Sequence, residues 1–113
     1  MRLETREQDQ VLIVDLQEPE LNHAVCNEFQ RRVMAFVDNG MTSLLLNLQS
    51  VQFLDSCGIG TLITIRNKLL KAKGSIALCN ISERVQKVLD IAALHKVFDI
   101  YETEEDALAD LAG

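Results

Sequence analysis

Leu44-Leu45-Leu46-Asn47-Leu48 is followed by Phe53-Leu54-Asp55-Ser56-Cys57-Gly58-Ile59-Gly60 and then by an amphipathic run from Leu62 to Lys73. In that order the three stretches read as a buried strand, a tight Asp-Ser turn and a helix. A short, nearly continuous apolar run is the pattern of a strand covered on both faces. The turn exposes one hydroxyl, that of Ser56, beside the free backbone N–H groups of a helix start. A side chain at such a place can change its charge by phosphorylation without disturbing the core behind it.

The same grammar extends in both directions. Upstream, Val11-Leu12-Ile13-Val14-Asp15-Leu16 is a strand of β-branched and apolar residues, and Leu3 to Glu7 reads as a short edge strand. Gln17 to Leu21 is a connection around Pro19, the one proline. Val25, Phe29, Val33, Phe36 and Val37 share one helical face, which predicts a helix from about Asn22 to Asp38, capped by Asn22 and ended by Gly40. Phe53-Leu54 reads as an extension or resumption of the central strand. In the following helix Leu62, Ile63, Ile65, Leu69 and Leu70 are expected to be buried and Gly74 to end it.

Downstream, Ser75 to Cys79 is a strand, and Ser82 caps a helix whose Val85, Val88, Leu89 and Ala92 face inward. Val97 to Tyr101 is a last strand. Thr103-Glu104-Glu105-Asp106, a capping box with Asp in place of Glu, opens a terminal helix carrying Ala107, Leu108 and Leu111. Such alternation predicts an α/β fold: a mostly parallel central sheet with a mixed edge, four helices and right-handed crossovers. Partners of such sheets meet the loops at the carboxyl ends of the strands, where Ser56 lies.

Bulk properties narrow the function. A chain of 113 residues suits one domain. A net charge of −6 argues against nucleic acid as a partner and against docking on anionic membranes, both of which need a basic face. No segment reaches the roughly 20 apolar residues of a membrane span, and the polar start Met1-Arg2-Leu3-Glu4 is not a signal peptide. Cys26, Cys57 and Cys79 form neither a C-x-x-C pair nor a zinc pattern, and free thiols fit a reducing compartment. A cytoplasmic protein without cofactor or metal is the expectation.

Each residue of the central turn has a plain reading and a sharper one. Asp55-Ser56 serves as a helix cap, a role compatible with modification of the serine. Gly58 and Gly60 either permit close packing at the helix start or keep the surface around Ser56 bare. They are not a dinucleotide loop, because Ile63 stands where the third glycine belongs, and no Gly-Lys-Ser/Thr makes a P-loop. Cys57 at a helix start has the position of a reactive thiol but no resolving partner nearby. His23 and His95 have no Ser, Cys or carboxylate at a spacing diagnostic of catalysis, so no enzymatic constellation is found. Arg66, Lys68, Lys71 and Lys73 are a solvated face or the border of a docking surface, with Ile59 a candidate apolar anchor.

With its flanks, Asp55-Ser56-Cys57-Gly58-Ile59-Gly60 resembles the STAS-domain family of bacterial anti-sigma factor antagonists, whose motif reads Asp-Ser-Ser/Thr-Gly-Leu/Ile-Gly between a strand and a helix. The likeness runs from about Leu12 to Leu111. It takes in Leu46-Asn47-Leu48, the Phe53-Leu54 lead-in, the Lys71-Ala72-Lys73-Gly74 stretch and the region from Ile81-Ser82 to Leu89. Cys57 departs from the motif, and Pro19-Glu20-Leu21-Asn22 stands where the family often has Gly-Glu-Leu-Asp.

The resemblance implies a single STAS domain over residues 1–113 and a partner-switching regulator. In that family a serine kinase of the GHKL type, itself the anti-sigma factor, phosphorylates the serine after the motif Asp, here Ser56. The bare antagonist binds the kinase, the phosphorylated form lets go, and a PP2C-type phosphatase restores binding. The implied contact residues are Asp55, Ser56, Cys57, Gly58, Ile59, Gly60 and Asn22. An alternative within the family is an adaptor subunit in another signalling, secretion-control or transporter-associated assembly. A response-regulator receiver also has an Asp after a central strand. It needs an acidic pair after its first strand, a Ser/Thr after its fourth and a Lys after its fifth, whereas here Asp15 sits inside its strand and no Lys follows Tyr101 in the appropriate place.

Overall fold

The computed structural model describes residues 1–111. Strands β1 (Leu3–Gln8) and β2 (Val11–Leu16) form a hairpin and are followed by the two-residue strand β3 (Glu20–Leu21) and helix α1 (Cys26–Asp38). Strand β4 (Ser43–Asn47), the short β5 (Phe53–Leu54), helix α2 (Ser56–Lys71), strand β6 (Ser75–Cys79), helix α3 (Glu83–Ile91), a 3₁₀ turn at Leu94–Lys96, strand β7 (Asp99–Tyr101) and helix α4 (Glu104–Leu111) complete the order. Five strands make one sheet in the order β1-β2-β4-β6-β7. Its β1 edge is antiparallel and every other pairing is parallel, so the mixed edge and parallel body are as expected.

The alternation of side chains across a strand explains the two cores. Leu12, Val14, Leu16, Leu44, Leu46 and Leu78 point to the face covered by α1, α2 and α3. Val11, Ile13, Leu45, Ala77 and Cys79 point to the other face, which Ala107 and Leu108 of α4 cover. The central strands are apolar throughout because both faces are occupied.

The structure departs from the sequence reading in several places, each for a physical reason. Phe53 and Leu54 do not prolong β4. They pair in parallel with Glu20 and Leu21 as a separate two-stranded ladder, which turns the supposed loop around Pro19 into a strand. Helix α1 starts at Cys26, not Asn22, with Val25 as its N-cap and no side-chain cap. Asn22 instead closes the preceding turn: its carbonyl accepts from Val25 and Cys26 N–H groups at 2.9 Å, and its Oδ1 from the Ala24 N–H at 3.0 Å.

Helix α2 ends with Lys73, not Gly74, in the left-handed conformation (φ +59°). Gly74 is needed for another reason, since a Cβ there would lie 2.1 Å from the Thr42 carbonyl oxygen. Ile63 and Leu70 are exposed, as are Ala92 and Val97, and the last strand begins only at Asp99. Gly40 (φ +99°) ends α1, and the Ser82 hydroxyl caps α3 by accepting from Val85 N–H at 3.2 Å, both as expected.

At the carboxyl edge of the sheet Asp15, Asn47, Cys79 and Tyr101 stand in register on adjacent strands. Asn47, buried, donates to Glu104 Oε2 at 2.7 Å, and the Arg6 guanidinium bonds Oε1 of the same carboxylate. This ties α4 to the sheet. Burial pushes the Glu104 carboxyl up, but the Asn47 and Arg6 hydrogen bonds outweigh it and hold it below its ordinary 4.5. Asp15 is pushed up by burial first and by the Glu104 charge as well.

A depressed carboxyl stabilises the fold above its unfolded pKa, and that contribution disappears as pH falls through the folded value. Glu104→Gln is therefore expected to lower the unfolding free energy by about 1–2 kcal/mol at pH 7, partly offset by relief of Asp15. The difference from the parent should shrink from pH 7 to pH 3, as the folded carboxyl takes up its proton. Urea unfolding at the two pH values measures it, and an equal loss at both would contradict the assignment.

Candidate functional site

The central turn is built by a ladder that brings together segments some thirty residues apart. Gln52 N–H donates to the Pro19 carbonyl at 2.7 Å, β3 and β5 pair, and Asp55 N–H donates to the Leu21 carbonyl at 3.4 Å. Chain direction then changes at Asp55, which has the extended backbone of an N-cap (φ −96°, ψ −174°), and α2 begins at Ser56. Asp55 uses both carboxylate oxygens: Oδ1 accepts from Gly58 N–H at 2.9 Å, and Oδ2 from His23 N–H at 3.1 Å. The His23 imidazole Nδ1 lies 3.8 Å from Oδ2. The Gly58 N–H, foremost, and the His23 and Cys57 N–H groups hold this carboxyl below its usual range. At neutral pH Asp55 is thus an anion that satisfies donors of the helix start and pins the Asn22–Ala24 turn to it.

Ser56, the first helical residue, is exposed, and so are Cys57 and Gly60. Gly58 is buried, because its Cα faces the Leu21 carbonyl, where a Cβ would stand 2.3 Å from the oxygen. A Cβ on Gly60 would meet nothing within 4 Å. The two glycines therefore divide the two roles weighed above: Gly58 permits close packing, and Gly60 leaves the surface bare. Ile59 is half-buried against the core, and Asn22 is half-buried beside the turn with its Nδ2 donating to Glu20 Oε2 at 2.8 Å. Asn22 is brought into the neighbourhood of Asp55 and Ser56 although more than thirty positions separate it from them in the chain.

The larger exposed apolar side chains are others: Phe53, Ile63, Leu70, Ile91 and Val97. Two of these stand against the expectation that they are buried. Ile63 and Leu70 lie seven and fourteen residues after Ser56, on the ridge opposite the buried Gly58, Leu62, Ile65 and Leu69. Cys26 and Cys79 are buried packing residues, and burial pushes the Cys79 thiol up to about 12. Among the described residues no three His, Cys, Asp or Glu side chains gather to hold a metal ion, and no helix is long and apolar enough to cross a membrane. A groove of about 550 Å³ between α3 and β7, lined by Ile81, Gln86, Lys87 and Tyr101 among others, shares no residue with the Asp55–Gly60 turn.

Comparison with known proteins places this arrangement. The STAS domain family model matches residues 2–107. An anti-sigma F factor antagonist of Paenibacillus polymyxa is 38% identical over 69 residues, 60% of this chain and only 58% of that protein. A protein of Thermotoga neapolitana, provisionally named an anti-sigma factor antagonist, is 30% identical over 103 residues, 90% of this chain and 91% of its own length. The crystal structure of a similarly provisionally named protein from Thermotoga maritima superposes with a TM-score of 0.91 at 26% identity, covering 98% of this chain and 95% of that one.

Proposed function

This chain belongs to the STAS domain family, and we propose that it acts there as an anti-sigma factor antagonist whose adhesion to a serine-kinase anti-sigma factor is switched by phosphorylation of Ser56. The observation that carries the reading is the division of labour between Asp55 and Ser56. Asp55 accepts from the Gly58 N–H of α2 and from the His23 N–H and so locks the turn, while the neighbouring hydroxyl stays exposed with no part in the core.

The energetics follow from that arrangement. A phosphate carries about −1.5 to −2 charge and usually finds a home at a helix N-terminus. Here the Asp55 carboxylate already accepts from the Gly58 N–H at the start of α2, so a phosphoryl group on the exposed Ser56 projects outward into the surface a partner would cover. The fold behind it is unchanged, and the cost falls on the complex. Asp55, Ser56, Cys57, Gly60 and Asn22 form the near edge of this contact, Ile59 supports it from below, and Gly58 sets its distance from β3. The domain acts as substrate and binder without turnover of its own. A GHKL-type kinase and a PP2C-type phosphatase are its proposed partners, in the cytoplasm.

The direct test incubates the protein with a purified GHKL-type serine kinase and MgATP, then maps phosphate by peptide mass spectrometry. One phosphate, on the peptide containing Ser56 and absent from Ser56→Ala, is the expected result. An active kinase that leaves Ser56 unmodified would overturn the reading.

A further inference from the structure

Ser56, Gly60, Ile63, Asn67 and Leu70 follow one another at steps of four and three residues along α2, and all five are exposed. On a helix this spacing makes one straight ridge, about 21 Å long from Ser56 to Leu70. The opposite side of the same helix, with Gly58, Thr61, Leu62, Ile65 and Leu69, is the side that packs on the sheet. The ridge therefore has a bare start at Gly60 and two large apolar side chains on solvent, Ile63 and Leu70 at 36% and 49% exposure. No demand of the core explains them.

Charge is distributed to match. The chain carries −6 overall, yet seven of its eleven Lys and Arg residues and only two of its seventeen Asp and Glu residues fall between Ser56 and Phe98. Within α2, Arg66 and Lys71 flank the Ile63–Leu70 ridge on its two sides. Arg66 is anchored by its Nε donating to the Val97 carbonyl at 3.0 Å, so its charge is held beside the ridge without a carboxylate partner among the described residues. Lys68, further round the helix, is already paired with Asp38 at 2.8 Å. An apolar seam with repeats at seven residues, bordered by cations, is the complement of a helix that has apolar residues at the same spacing and acidic residues beside them.

We infer that the outer ridge of α2, from Ser56 to Leu70, is a docking seam for an acidic amphipathic helix of the partner. This rests on the switch reading above and deepens it. The proposed phosphorylation site is the first position of the seam, and Gly60 lets the partner backbone come close behind it. A phosphate at Ser56 would then meet carboxylates along the same seam. Release follows from like charge at close range as well as from desolvation.

The test measures binding of the purified serine kinase to the unmodified protein by calorimetry at 50 and 300 mM salt. The variants are Ile63→Glu, Leu70→Gln, Lys71→Glu and, as a control on β1, Glu7→Gln. All four positions are exposed, and circular dichroism and the thermal midpoint verify folding. The seam predicts about a hundredfold loss for Ile63→Glu, about tenfold losses for Leu70→Gln and Lys71→Glu, a weaker salt dependence for Lys71→Glu, and no change for Glu7→Gln. Wild-type binding with all three ridge variants within twofold of it overturns the seam and leaves the switch standing. Apolar losses without any effect of Lys71→Glu or salt overturn the acidic character of the partner. Failure of the wild-type chain to bind the kinase overturns both readings.

Discussion

Gly58→Ala is expected to destabilise this domain by about 2–4 kcal/mol, whereas Gly60→Ala, two positions later in the same helix, stabilises it by about 0.5–1 kcal/mol. Both residues are helical, so backbone conformation does not distinguish them. Their surroundings do. A methyl on Gly58 would stand 2.3 Å from the Leu21 carbonyl oxygen, a backbone atom that cannot rotate away. Relief requires α2 to lift off β3, and the same movement stretches the Asp55-to-Leu21 and His23-to-Asp55 hydrogen bonds that define the turn. Gly60 meets nothing within 4 Å, so alanine there gains helix propensity at no steric cost. Urea unfolding of the two variants measures the contrast, and amide exchange at Leu54 and Asp55 should quicken in Gly58→Ala alone. A Gly58→Ala protein within 0.5 kcal/mol of the parent would mean that the turn tolerates displacement and does not depend on this approach.

On the switch reading, phosphorylation of Ser56 is expected to weaken kinase binding about a hundredfold, equivalent to about 2.8 kcal/mol. The size is modest for a doubly charged group at an interface, because a place at the near edge of the contact leaves it partly hydrated. Ser56→Ala removes only a small hydroxyl from an exposed position and should bind as the parent does, with MgATP no longer able to release it. Ser56→Asp carries one charge and two oxygens in place of a dianion with three, so it should lie between the two. Calorimetry on the four forms gives the order directly. Equal affinity of the bare and phosphorylated proteins for the same kinase would remove Ser56 from the mechanism, whatever the mass spectrum shows.

Much of this architecture is legible in the chain because it depends on local pattern. The bounds of β2 and β6 follow from short apolar runs ended by polar residues, and Asp55, Ser82 and Thr103 announce helix starts by side chains that accept from N–H groups three residues on. The start of α1 escapes this logic because Val25 caps it without a side-chain bond. Asn22, the residue with capping chemistry, spends its oxygens on the turn before the helix. Lys73 defeats the rule that glycine takes the left-handed place at a helix end, since Gly74 beside it is claimed by the close approach to Thr42.

The candidate site divides along the same line. Its motif, its exposed serine and the capping role of its aspartate are matters of neighbouring residues, and reading Asp55 to Gly60 in order is enough to find them. The amino-acid order also determines the sheet, because alternation of apolar runs with amphipathic helices leaves few ways to cover both faces. Tertiary structure alone decides that Glu20 and Leu21 become a strand against Phe53 and Leu54, that Gly58 is pressed on a carbonyl while Gly60 is free, and that Ile63 and Leu70 face solvent. Each of these is a relation between atoms far apart in the chain, or the absence of any neighbour. Local propensity carries no information about either, because what an apolar or small residue touches is settled only when the distant segment has been brought to it.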